Sequence, residues 1–327
     1  MSFKIIKPGL LDTIQDCGRW GYQHLGINVN GPMDLYSAKM ANALLGNDLN
    51  TPVIEMHSPG ATFLFEEATI ICLTGSECRP ELNAQPFAMH QPILVKKGSV
   101  LECKNGRQGT RSYLSVYRGI KTNQWLGSSS TNIKIGEMCG QALKAGDRIE
   151  WKHHLSISNF QPGISILPLH WKAEGLSKRS SPLSCLQGPE WSVLTKEAQH
   201  LFQTAPFYIS PISDRMGIRL MGVALEQGPI KSTLSSAVTF GTIQLLPDGG
   251  LIVLMADHQT TGGYPVIATV ISAHLPYLAQ CPVKESIRFS IATLEEAEQQ
   301  LYAQQVLLED LQQACISRIE HILHDLY

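Results

Sequence analysis

Residues 241–271 read GTIQLLPDGGLIVLMADHQTTGGYPVIATVI. Three apolar runs of strand length lie in and around this stretch: Thr239–Leu246, Leu251–Met255 and Ile267–Ile271. Runs this short, bounded by turn residues, read as buried strands rather than helices. Pro247-Asp248-Gly249-Gly250 joins the first two as a hairpin turn, since proline presets one turn dihedral and glycine accepts positive φ. The third run follows Asp257-His258-Gln259-Thr260-Thr261-Gly262-Gly263-Tyr264-Pro265. That loop opens at a strand end, where loops present sites. Its paired glycines allow a ligand or another backbone to approach closely, and its threonines and glutamine add neutral donors and acceptors. A tight turn between buried strands explains the same residues.

The same pattern extends outward from this stretch. Downstream, Arg288–Ile291 is another short run, and upstream lie Ile164–Leu169, Phe207–Ser210 and Gly217–Leu220. Further upstream are Thr62–Phe65, Thr69–Leu73, Ile93–Val95, Val100–Cys103, Tyr113–Val116 and Arg148–Trp151. Pro59-Gly60, Lys97-Gly98, Asn105-Gly106 and Ala145-Gly146-Asp147 punctuate them. Many short strands between turn residues predict antiparallel sheets or barrels. Lys172–Pro189, rich in Ser, Pro and Lys, separates the two sets and reads as a domain linker.

Three helices are expected. Asp34 can cap Leu35–Leu45, with Gly46-Asn47 as the stop. Ser192–Phe202 has a weaker helical pattern. Thr293 and Glu296 form a capping box ahead of a helix reaching Leu326. Leu294, Ala297, Leu301, Leu308, Leu311, Cys315, Ile319, Ile322 and Leu326 give it an apolar stripe that packs on the barrel or on another chain. Residues 1–175, 176–292 and 293–327 are thus expected to form a first β-barrel-like domain, a second one and a terminal helix.

Composition narrows the function classes. The 327 residues are 43% hydrophobic and 17% charged, with a net charge of −2. They can bury a sizeable core, and no basic footprint for nucleic acid is present. The longest apolar run, Leu251–Ala256, is far too short for a membrane span. With no apolar leader at the N-terminus and no Cys-x-x-Cys among eight cysteines, a cytoplasmic location with reduced thiols is expected. His153-His154 is adjacent and points two ways in a strand, so no metal site is expected. Gly-x-Ser-x-Gly and Gly-x-x-x-x-Gly-Lys-[Ser/Thr] do not occur.

Asp214-Arg215-Met216-Gly217 opens a strand. The planar Arg215 fork suits a carboxylate or phosphate, with Asp214 as a base or as the group orienting the arginine. An exposed Asp–Arg pair is the alternative. Gly18–Gln23 and Gly31–Asp34 bracket the first helix, whose N-terminus can hold an anion unless Asp34 fills it. Gly127-Ser128-Ser129-Ser130-Thr131 is a hydroxyl-rich loop.

Several strings together resemble one family: GLLDTIQDCGRWGYQHLGI, GPMDLYSAKMANALLGN, LTGSE, GSSSTNIKIG, SDRMGIRLMG, the 241–271 stretch and LPYLAQ. This is the biotin-dependent carboxyltransferase-like family, also called allophanate hydrolase subunit 2. It includes stand-alone 5-oxoprolinase subunits and an antagonist of a sporulation kinase inhibitor. The resemblance runs from about Ile5 to Phe289. It implies cyclophilin-like β-barrels and work in a complex with 5-oxoprolinase subunits A and B, the latter kinase-inhibitor-like. That complex uses ATP to open 5-oxoproline to L-glutamate. Two further readings follow from the family: a regulatory protein that binds a kinase-inhibitor-like partner, and a biotin-dependent carboxyltransferase acting on urea or another amide. The chain carries no biotin-carrier or ATP-grasp segment, so no biotin is expected on it.

On the first reading, Asp214, Thr260 and Thr261 are the expected catalytic residues. Arg215, Gln259, Gly262, Gly263, Tyr264, Gln23, Ser130 and Thr131 are the expected substrate-binding set. Two departures stand out: the family usually has arginine where this chain has Ser129 and His258.

Overall fold

Short apolar runs can satisfy their backbone only by pairing with one another, and in the computed structural model nearly all of them do. The described residues are 1–104, 106, 109–136, 139–152, 166–175, 182–228 and 234–326. Asn105, His153, His154, Ile164 and residues 176–181 of the expected linker lie outside them. The chain forms two units, one of Met1–Gly18, Asp34–Ser177 and Gln305–Tyr327, the other of Arg19–Met33 and Lys178–Gln304.

The first unit holds two six-stranded sheets. One runs in the order Arg148–Glu150, Ser2–Lys7, Thr62–Phe65, Val100–Lys104, Arg79–Leu82, Gln85–Pro86. The other runs Ile166–Pro168, Ile93–Val95, Thr69–Gly75, Arg111–Val116, Val53–His57, Leu11–Gln15. Inward residues of both sheets make one core, in which Phe3, Phe63, Phe65 and Trp151 from the first meet Ile54, Ile71, Leu73 and Leu114 from the second. Phe3 meets Phe63 edge-on at 5.2 Å and lies over Trp151 at 6.0 Å. Such aromatic geometry adds about 1 kcal/mol per pair beyond burial.

The second unit is built on an eight-stranded sheet: Ser286–Ile287, Phe207–Ile209, Gly217–Gly222, Leu251–Leu254, Thr242–Leu245, Val266–Val270, Leu183–Gln187, Phe289–Ile291. The hairpin expected at 247–250 is present, with Leu246 N–H donating to Gly250 O at 2.8 Å and Gly249 at φ +78°. Part of the expected linker is overturned. Leu183–Gln187 is a full strand, antiparallel to Val266–Val270 and parallel to Phe289–Ile291. Its Ser and Gln residues alternate with buried Leu183 and Cys185, a half-buried pattern that composition alone disguises. Phe202, Phe207 and Phe289 fill the core beside it.

Helix α1, Leu35–Leu44, is capped as expected: Asp34 accepts from Ser37 N–H at 2.8 Å. Ser192–Phe202 is corrected to a 3-10 turn at Trp191–Val193 followed by α2, Lys196–Thr204, with Thr195 as the cap. A short helix α3, Leu275–Gln280, was not expected. The terminal helix α4, Leu294–Leu326, starts at the expected capping box, with Thr293 N–H to Glu296 at 2.9 Å and Glu296 N–H to Thr293 Oγ1 at 3.2 Å. Its stripe divides in two. Leu308, Cys315 and Ile319 are buried against Met40, Leu44, Leu45 and Trp171 of the first unit. Leu294 and Leu301 stay exposed. Among the described residues, no helix is long and apolar enough to cross a membrane.

Candidate functional site

The strand Leu251–Leu254 ends by turning through Asp257 and His258, and the strand Gly217–Gly222 begins just after Arg215. The two meet because the strands are neighbours in register, Gly217 opposite Leu254. Backbone bonds from Met255 N–H to Met216 O at 2.9 Å and from Asp257 N–H to Arg215 O at 2.8 Å continue the ladder past the strand ends.

Here Arg215 forms a two-pronged ion pair with Asp257. Nε donates to Oδ2 and Nη2 to Oδ1, both at 2.9 Å. Both side chains are buried. The guanidinium also reaches Gly31 O at 2.7 Å, and Asn30 Nδ2 donates to Asp257 Oδ1 at 2.8 Å. Arg19, itself buried, donates to Asn30 Oδ1. Asn28 Nδ2 donates to the carbonyls of Asp257 and His258 at 3.1 and 2.5 Å. The segment Arg19–Met33 is thereby fastened to the strand ends of the second unit. A buried charge pair needs this many additional partners to offset its desolvation.

Neither the clamp nor the exposed pair read from Asp214-Arg215 describes this geometry. Arg215 is aimed at Asp257 and Gly31. Asp214 is an exposed-side turn cap, its Oδ1 accepting from Met216 N–H at 2.8 Å and Gly217 N–H at 3.2 Å. Such a turn fixes the entry of the strand.

Beyond Asp257, His258 is buried and its Nδ1 contacts Gln259 O at 2.5 Å. That contact assigns the proton to Nδ1 and leaves Nε2 as an acceptor. Burial of the ring pulls its pKa below the ordinary histidine value, against smaller opposing effects of the Gln259 carbonyl and the Asp257 charge. The imidazole is therefore neutral at pH 7.

Gln259–Tyr264 forms a small arm. Thr261–Gly262 pairs antiparallel with Ser236–Ala237, and Val238 N–H donates to Thr260 O at 3.1 Å. Gly262 packs closely here: a Cβ on it would stand 2.3 Å from Gln244 Nε2, which donates to Tyr264 O at 3.3 Å, so a larger residue would have to displace that amide. Thr261, Gly263 and Tyr264 are exposed on this arm, while Gln259 and Thr260 are half-buried. Gln23 lies in a 3-10 turn of the Arg19–Met33 segment, and its Oε1 accepts from Gly21 N–H at 3.1 Å.

Ser130 and Thr131 belong to the first unit, where the hydroxyl-rich loop already encloses an anion of the chain's own. Asp16 accepts from Ser128 Oγ at 2.5 Å, Ser129 N–H at 2.6 Å, Ser130 Oγ at 2.7 Å and Gly18 N–H at 2.9 Å. Thr131 N–H donates to Ile14 O at 2.9 Å. Among the described residues, no group of three or more His, Cys, Asp or Glu is arranged to hold a metal ion.

The structure thus brings Arg215, Asp214 and Gln259–Tyr264 to neighbouring strand ends. It adds four residues for which the sequence suggested no role: Arg19, Asn28, Asn30 and Asp257. Their signal in sequence is faint, since each is a polar residue beside a turn. What makes them a set is pairing across as many as 230 residues.

Three comparisons bear on this arrangement. The family described as carboxyltransferase domain, subdomain A and B, matches residues 25–291. The C-type subunit of 5-oxoprolinase from Escherichia coli is 36% identical over 310 residues, covering 94% of this chain and 97% of that protein. Its counterpart in Haemophilus influenzae is 34% identical, covering 91% and 94%. The urea amidolyase of Lachancea kluyveri is 30% identical over 95% of this chain, which spans 18% of that protein. Among solved structures, the K. lactis urea amidolyase superposes with a TM-score of 0.84 at 26% identity over 95% of this chain, which spans a fifth (20%) of that one. The urea carboxylase of Kluyveromyces lactis gives the same TM-score of 0.84, with 29% of its length covered.

Proposed function

The chain belongs to the carboxyltransferase-domain family, subdomains A and B, and on that premise we propose that it is a subunit of an ATP-dependent complex that opens 5-oxoproline to L-glutamate. The observation that carries the reading is coverage. The chain aligns with nearly the whole of two 5-oxoprolinase subunits of the C type, but with under a fifth of the yeast urea amidolyase. Its partners would be 5-oxoprolinase subunits of the A and B types.

The chemistry asks for electrostatics more than for a nucleophile on this chain. An unstrained lactam is a poor electrophile. ATP, as a substrate of the complex, supplies the activation, and no residue of this chain is assigned to it. Once the ring carbonyl is attacked, negative charge develops on its oxygen. Preorganised donors facing that oxygen lower the barrier. The hydroxyls of Thr260 and Thr261 are the donors this chain offers. Gln259 and Tyr264 flank them.

The Arg215–Asp257 pair holds the strand end from which the arm departs. We assign Arg215 a positioning role, since its guanidinium is committed to Asp257 and Gly31. His258, neutral with Nδ1 on a carbonyl, leaves Nε2 to accept a proton beside the arm. This role falls at a position where the family usually carries arginine.

Mixing the purified chain with A- and B-type subunits, ATP and 5-oxoproline is expected to release glutamate, with no release when any component is left out. If partners shown to be active with the Escherichia coli relative give no glutamate with this chain, the reading fails. Complex formation without turnover would then favour a regulatory role. Carboxylation of urea on addition of a biotin carboxylase and carrier would favour a carboxyltransferase.

A further inference from the structure

Two cysteines and a methionine come together in the first unit. In the ladder between Arg79–Leu82 and Val100–Lys104, Pro80 stands opposite Cys103. Cys78, two residues before Pro80, is therefore a diagonal neighbour of Cys103 on the same face, within side-chain reach. That face is the inner one: Pro80, Leu82, Leu101 and Cys103 are all buried. A third sulfur arrives from the segment before Ile93–Val95. Met89 Sδ lies 3.4 Å from Cys78 Sγ, and Met89 is half-buried.

We propose that Cys78, Cys103 and Met89 form a binding site for a single Cu(I) ion. Thiolate and thioether donors are soft and select Cu(I) over oxygen-seeking cations. Zinc takes thiolate, imidazole or carboxylate donors, whereas the Met89 thioether favours Cu(I). The Cys78 and Met89 sulfurs are already side by side, and the strand register sets Cys103 diagonal to Cys78. Binding is a ligand exchange without redox change. Two S–H bonds break, two Cu–S bonds form, and both protons leave to solvent. The Met89 thioether adds a neutral third donor. Cys72, Cys185 and Cys315 are fully buried among apolar side chains, and Cys17 and Cys281 are the partly exposed thiols that serve as controls.

The test is an anaerobic titration of the reduced full-length chain with Cu(I) against bathocuproine disulfonate. One equivalent should transfer from the chelator to the protein, and X-ray absorption should show sulfur-only coordination. Cys78→Ser should weaken binding by at least the order of 100-fold, beyond what loss of a supporting group costs. Met89→Leu, which keeps the volume and the fold, should weaken it by about tenfold. Cys17→Ser/Cys281→Ser should bind as the native chain does. The proposal is overturned if no Cu(I) transfers, if Cys78→Ser/Cys103→Ser keeps the full equivalent, or if Met89→Leu leaves both affinity and sulfur coordination unchanged.

Discussion

Arg215 and Asp257 lie 42 residues apart, and their pairing is a property of two particular side chains rather than of charge alone. Lysine cannot reproduce two parallel N–H···O contacts. Arg215→Lys should therefore lower the melting temperature, and in the assembled complex it should reduce kcat more than KM if the arginine positions the arm. Arg215→Met, which leaves Asp257 buried without its cation, should cost about 3–5 kcal/mol in chemical denaturation. An unchanged denaturation midpoint would remove Arg215 from the positioning role. Asp12 gives a second expectation for a single side chain. Burial raises its carboxyl from 3.8 to about 6, although Gly9 and Ala61 amides pull the other way. Because the fold favours the neutral acid, the native state binds more protons than the unfolded chain between those values, and stability falls as pH rises from about 4 to about 6. Above that range the loss is about 3 kcal/mol. Asp12→Asn keeps an acceptor for Gly9 N–H without the charge. Between about pH 4 and 6, where the native chain loses stability, the variant's denaturation midpoint should fall much less.

Among the elements, the Gln259–Tyr264 arm and helix α4 depend on single contacts that a substitution can remove. Gly262→Ala would place a methyl 2.3 Å from Gln244 Nε2, so the arm or Gln244 must move. The expected result is a loss of complex activity of on the order of 10- to 100-fold, as for a roughly 1 Å misplacement, with little change in global stability. Gln244→Ala in the same chain should restore part of it. For α4, Leu308 and Ile319 bury their side chains against Met40, Leu44 and Trp171. Leu308→Ala should cost about 2–5 kcal/mol, read as a lower denaturation midpoint, whereas Leu301→Ala on the exposed part of the stripe should be nearly neutral. Second-unit contacts hold the start of the helix. Buried His274 accepts from Ser184 N–H at 2.8 Å through Nδ1 and meets Gln300 through Nε2 at 2.8 Å. Elements with strong local codes were legible in the sequence: the Asp34 cap of α1, the Thr293–Glu296 box of α4 and the 247–250 hairpin. Leu183–Gln187 was not, because its strand character comes from neighbours on both sides and its composition resembles a linker.

Across the molecule, turn residues and short apolar runs carried the mainly β architecture with few helices and a long terminal one. A strand run must pair, and the order of pairing follows turn lengths only for neighbours. Hairpins such as 242–254 could therefore be read directly. The parallel contact of Leu183–Gln187 with Phe289–Ile291 joins segments about a hundred residues apart, for which no local signal exists. The division into units shows the same limit. Arg19–Met33 follows the first strands in sequence yet belongs with the second unit, where Asn28 and Asn30 bond to Asp257 and His258. Of the site, the residue pattern alone identified which loop carries the threonines and paired glycines, and that Arg215 opens a strand. Folding was needed to turn Arg215 to Asp257, to set Asp16 inside the serine loop and to make Gly262 the residue that leaves room for Gln244. The difference lies in the range of the forces involved. Caps, turns and strand period are settled within a few residues, whereas a buried charge takes whichever partner the packed chain brings within about 3 Å.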